Sequence, residues 1–263
     1  MSTNKIFLYF FAVILISAGL YFALDRYVYG EKSQINAVVS VLSERFPESD
    51  FPSLYQSIQT VEIPEKYSEL LDLSVVETQD YTFSVLDRYR VSVRHTAVTE
   101  GLGQPEVLIA DISEENVFQV WRTEHFDFFE IIQSSLLEKS VEMIEGNFDT
   151  ELISSSYKLL QETYSVTIDD VRNATSLDEA NALARLLTLK VILSDGEIDI
   201  SGGVGKFETD KVRGYVLIGK EGNHNIQIFP VDEENRVFWF TKIDGQVTLE
   251  DVLVIISSFQ FIN

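Results

Sequence analysis

From Ile6 to Leu24 the chain runs nineteen residues without a charged side chain (IFLYFFAVILISAGLYFAL). A helix so apolar on every side must be covered all round, by lipid or by protein. At 1.5 Å per residue it would be about 28 Å long, close to the ~30 Å hydrocarbon core of a bilayer. Lys5 and the α-amino group flank one end, and Asp25 and Arg26 the other. Tyr9, Tyr21, Tyr27 and Tyr29 fall where membrane interfaces favour amphipathic rings. The run therefore predicts one N-terminal transmembrane helix, with residues 1–30 acting as a signal anchor. A cleaved signal peptide is the rival reading, with Ser17-Ala18-Gly19 as a small-residue cleavage site. Its apolar core would be only 7–15 residues long, whereas here the run continues past that site. Lys/Arg counts on the two flanks do not separate the orientations. A short N-terminal tail ahead of a long C-terminal part resembles a bacterial signal anchor, which places the domain outside the cytoplasm.

The chain beyond the anchor is strongly acidic. The whole chain has 20 Lys+Arg against 42 Asp+Glu, a net charge of −22. Setting aside Lys5, Arg26 and Asp25 leaves 18 basic and 41 acidic side chains, a net of −23. Such a surface repels phosphate backbones and offers anionic lipid no basic patch, so nucleic acid is not an expected partner. It suits solubility, or a protein partner with a basic face. The chain has no cysteine. That excludes disulfides, thiolate metal sites, cysteine nucleophiles and an acylated-cysteine anchor.

Hydrophobic spacing predicts an α+β fold: antiparallel sheet meanders packed with a central helical segment, behind the membrane helix. Residues 31–66 read as a stalk helix and connector, and 67–263 as the acidic domain. Ile35, Val38, Val39, Leu42 and Phe46 keep helical spacing until Pro47 and Pro52. Residues 53–59 could form a short helix, and Pro64 suits a helix's first turn. Tyr81–Val85, Tyr89–Val93, Val107–Ile112 and Val117–Thr123 alternate as strands, with Asp87-Arg88 as a turn and 101–105 as a loop. These four make a meander the economical arrangement. Phe128 to Ile144 and 150–163 read as helices. Thr167–Asp170 and Ser176–Glu179 are capping boxes, in which Ser176 should accept from Glu179 N–H and Glu179 should answer at Ser176. The second box opens a helix whose end is ambiguous, because Leu187, Leu189, Val191 and Leu193 also alternate before the hairpin signal Asp195-Gly196. Val212–Ile218, Asn225–Phe229 and Val237–Thr241 form a second meander, with turns at 219–224, 232–235 and Asp244-Gly245. Thr248–Asp251 caps a last helix to about Ser257, and Phe259-Gln260-Phe261 closes the chain.

The run from Arg213 to Phe261, RGYVLIGKEGNHNIQIFPVDEENRVFWFTKIDGQVTLEDVLVIISSFQF, resembles the ending of PsbP-like domains. It shares their order of strand meander, helix and short strand at Ser258-Phe259-Gln260-Phe261. The resemblance covers about 50 of the 263 residues. It implies an antiparallel sheet flanked by helices and an accessory or binding role, and it supplies no catalytic residues.

Short motifs with defined chemistry fail in turn. Ser201-Gly-Gly-Val-Gly-Lys206 lacks the first glycine of a phosphate loop, and Phe207 replaces the Mg²⁺-binding hydroxyl, so it reads as a loop. Ser155-Ser-Tyr-Lys158 matches S-x-x-K, but no K-T-G or S-D-N accompanies it. His95, His125 and His224 are not spaced as zinc ligands, and no partner for a general base is indicated. The acidic turns at 195–199 and 232–234 lack the calcium-loop ladder and read as solvated hairpin ends. Trp121 and Trp239 read as core aromatics, and Asn173-Ala174-Thr175 is a glycosylation sequon relevant only in a glycosylating host. No catalytic, cofactor or metal residue is nominated. The sequence favours a non-enzymatic binding or accessory domain. The rivals are a hydrolase whose site is assembled from distant residues, and an acidic inhibitor or immunity-type protein.

Overall fold

The computed structural model describes residues 30–64, 72–93, 106–110, 116–123, 155–194, 202–219, 224–242 and 247–262. The uncharged run, the helix expected at 128–144, His95, His125 and the turns at 195–199 and 244–245 lie outside them. Among the described residues no helix is long and apolar enough to cross a membrane.

The fold is mixed α and β, built around an eight-stranded sheet. Its strands are β1 (Gln59–Thr60), β4 (Arg90–Val93), β5 (Val107–Ala110), β6 (Asn116–Thr123), β7 (Gly203–Glu208), β8 (Val212–Ile218), β9 (His224–Pro230) and β10 (Val237–Lys242). Their order is β1-β7-β8-β9-β10-β6-β5-β4, antiparallel except where β1 joins β7. A smaller sheet, β11-β3-β2, consists of β2 (Leu73–Glu77), β3 (Tyr81–Leu86) and β11 (Gln260–Phe261).

Both faces of the large sheet are covered, which explains why its central strands are nearly continuous apolar runs. Side chains alternate across a strand. On one face Val204, Tyr215, Leu217, Phe229 and Val237 meet the helices α1 (30–45), α2 (Ser156–Ser165), α3 (Ile168–Asn173) and α4 (Leu177–Ser194). On the other, Phe207, Val216, Ile226, Ile228, Phe238 and Phe240 meet the small sheet and helix α5 (Leu249–Ser258). Tyr81, Phe83 and Phe259 stack there, with Phe238 and Phe240 at angles to them.

The four early strands do not form the predicted meander. β4, β5 and β6 pair in sequence, but β3 belongs to the small sheet. The turn at Asp87–Arg88 is a corner between sheets: Tyr89 N–H returns to Leu86 O, and Asp87 N–H to Asp72 O. β3 buries Tyr81, Phe83 and Val85 on one side and Ser84 on the other, so it needs cover that β4 cannot give. β6 pairs with β10, which joins β4, β5 and β6 to the second predicted meander in one sheet.

The helix expected as a stalk is docked. Ile35, Val39, Leu42 and Phe46 are buried in the same cluster as Leu54, Tyr157 and Leu187. The expected helix at 53–59 is a single 3₁₀ turn, Pro52–Leu54, followed by β1. The expected loop at 201–206 is mostly strand β7. Gly205 serves close packing, since a Cβ there would collide with Val61 beside β1.

α4 runs to Ser194, so the alternating Leu187–Leu193 stretch is helix and not strand. Lys190 explains why both readings fitted, because it is as buried as its apolar neighbours, 1 % exposed. Its Nζ donates to Tyr164 O at 2.9 Å and Val166 O at 3.1 Å, the carbonyls at the C-terminal end of α2. Two acceptors match the two N–H groups of a neutral amine. Burial pushes the Lys190 pKa down to about 8, against a smaller opposing effect of Asp170. The unfolded chain therefore holds this proton up to ~10.5, and the folded chain only to about 8. Stability should rise by about 2 kcal/mol between pH 8 and 10, where ν_U exceeds ν_N. Above pH 10 the buried phenols of Tyr81, Tyr164 and Tyr215, all raised by burial, act in the opposite direction. Denaturant titrations should show this rise in the native chain and lose it in Lys190→Met.

The capping boxes at Thr167–Asp170 and Thr248–Asp251 form in both directions. At α4 only half of the expected box forms. Glu179 N–H reaches Ser176 Oγ at 3.1 Å, but the Glu179 carboxylate accepts from the N–H and hydroxyl of Thr175, one residue earlier. Those bonds hold Glu179 below the usual carboxylate range. Ser176→Ala should cost about 1 kcal/mol, seen as a lower denaturation midpoint with unchanged m.

Candidate functional site

Two polar constellations stand out. The first lies where the two sheets and α5 converge. Asp251, at the third position of α5, is 1 % exposed at its side chain. Its Oδ2 accepts from the N–H and hydroxyl of Thr248, and its Oδ1 from Arg88 on the inter-sheet corner. Arg88 also donates to the Tyr89 hydroxyl at 3.1 Å and lies over the Tyr89 ring. Burial, then the Asp251 charge, pushes the Tyr89 phenol up to about 12, so it keeps its proton at neutral pH. Beside them is an apolar recess lined by Val85, Leu86, Ile109, Phe118 and Ile255, without room for a water molecule.

His224 opens β9 near this group. Burial lowers its pKa, opposed by the Asp251 charge, so the ring favours the neutral form. Its Nδ1 is buried without a hydrogen-bond partner among the described residues. No bond links it to Asp251, so the two make no acid–base pair in this arrangement.

The second constellation surrounds the start of α2. Ser155 is the N-cap, and its Oγ accepts from Lys158 N–H at 3.1 Å. Lys158 Nζ turns away to Glu234, 3.7 Å distant. Glu234 also pairs with Arg213 at 3.3 Å. The Ser155 hydroxyl, then Lys158 and Arg213, hold the Glu234 carboxyl below its usual range against partial burial. The Arg213 guanidinium stacks on Tyr157 at 4.0 Å, and Lys206 Nζ lies 5.7 Å from the same ring. The S-x-x-K pair is thus a helix cap plus an ion pair, with the lysine amine aimed at Glu234. The turn at 232–234 is likewise tied by ion pairs, Glu233 to Arg236 and Glu234 to its two cations.

Trp239 packs against the helix-side core, with Trp121 opposite it in register on β6. Among the described residues no three His, Asp or Glu side chains converge as metal ligands. Spacing could not reveal the Asp251–Arg88 pair, whose members lie 163 residues apart. The one local signal was the Thr248–Asp251 box, which marks the carboxylate as buried against a helix start. Comparison with known families, characterised proteins and solved structures finds no match.

Proposed function

We propose that the chain is a single-pass membrane protein whose acidic domain lies outside the cytoplasm and works as a binding or accessory module, not as an enzyme. The observation that supports it most is that, among the described residues, the Asp251 carboxylate and the Ser155–Lys158–Glu234 group are engaged internally, while the unpartnered Nδ1 of His224 is bonded to neither. Both Asp251 oxygens are engaged, Ser155 is spent on a cap and on Glu234, and Lys158 and Arg213 share that same carboxylate. A general base or nucleophile needs a free lone pair within reach of substrate. The anchor is supported by the uncharged run at 6–24. The net −23 of residues 27–263 favours a partner with a basic face, whose binding should weaken steeply with salt.

The test is single alanine replacement of Ser155, Lys158, His95, His125, His224 and Asp251 in a strain carrying a deletion of the gene. Every variant that folds should restore the wild-type phenotype. A folded variant that behaves like the deletion would overturn the binding reading in favour of catalysis.

A further inference from the structure

We infer that one particular end of the domain faces the bilayer, the end formed by the first turns of α1 and α4 with the Asn173–Ser176 link between α3 and α4. The inference rests on the anchor proposed above. Five residues, 25–29, separate the uncharged run from Gly30, the first described residue of α1. Even fully extended, Leu24 to Gly30 spans only about 20 Å. α1 cannot swing out on this tether, because Ile35, Val39, Leu42 and Phe46 are buried in the helix-side core. Its first turn is also tied to that of α4, where Leu177 N–H donates to Glu31 Oε1 at 3.2 Å. The position of Gly30 therefore fixes that of the α3–α4 junction. The other end of α1 is about 24 Å away along its axis, at 1.5 Å per residue over 30–45. There Pro47–Asp50 turn the chain back. The membrane-facing end exposes Asp178 and Glu179 against the single Lys32 of α1's first turn, so it offers anionic lipid no basic patch and fits a zwitterionic phospholipid surface better. The tether, and not charge attraction, holds it there.

The absence of cysteine makes single-site labelling clean. Asp178→Cys and Glu48→Cys, both exposed positions, would be spin-labelled in the full-length protein in phosphatidylcholine vesicles. A nickel chelate carried on lipid headgroups then reports approach to the surface. The label at 178 should relax several-fold more strongly than the label at 48. Insertion of ten Gly/Ser residues after Tyr29 should abolish the difference. Equal or reversed signals in protein that floats with the vesicles would overturn the orientation and leave the anchor standing. An undiminished difference after the insertion would overturn the tether as its cause. Protein that does not float with the vesicles would overturn the anchor, and the inference with it.

Discussion

Gly214→Ala should destabilise the domain by at least about 3 kcal/mol, beyond the usual cost of a core substitution. Gly214 lies in β8, between β7 and β9, opposite Phe207 and Ile228. A Cβ there would collide with the backbone carbonyl of Gln227 and lie 2.8 Å from the Phe207 ring. Neither neighbour can give way. Phe207 and Gln227 are both buried, and Gln227 is held by the Tyr164 hydroxyl at 3.0 Å. Relief would require β8 and β9 to separate at the centre of the sheet. Gly30→Ala is the matched control, because nothing lies within 4 Å of a Cβ at that position. Chemical denaturation of both variants checks the pair: a large fall in midpoint is expected for the first, and no more than a few tenths of a kcal/mol for the second.

Asp251→Ala should cost about 3 kcal/mol. The carboxylate satisfies the N-terminus of α5 and binds Arg88 across the corner between the sheets. Arg88 is 44 % exposed, so it would be released to water and not stranded. That keeps the loss at the lower end for a buried pair. Asp251→Asn keeps an acceptor for Thr248 and loses the ion pair, so it should fall between alanine and the native chain. A drop in stability for alanine no larger than for Ser176→Ala would show that the corner is held by packing alone.

Much of the local structure was readable because its causes are local. Thr167 with Asp170, and Thr248 with Asp251, carry their partners within four residues. β8, β9 and β10 are apolar on both faces because helices cover one face and the small sheet with α5 the other. The features that escaped depend on distant cover. Nothing near Asp87 says that β3 pairs with β2 and β11 while β4 goes to the large sheet. The apolar alternation at 187–193 was ambiguous because buried Lys190 sits among those residues. The glycines at 202–205 resembled a loop because Val61, which packs onto Gly205, is remote in sequence. The candidate site was least readable, since Arg88, Tyr89 and Asp251 meet only through the inter-sheet corner.

Alkaline carbonate extraction of membranes from cells making the full-length chain tests the central claim most directly. An integral anchor at residues 6–24 keeps the protein in the pellet, while a chain beginning at Gly30 is released to the supernatant. Full-length protein that appears in the supernatant with its N-terminus intact would contradict the account.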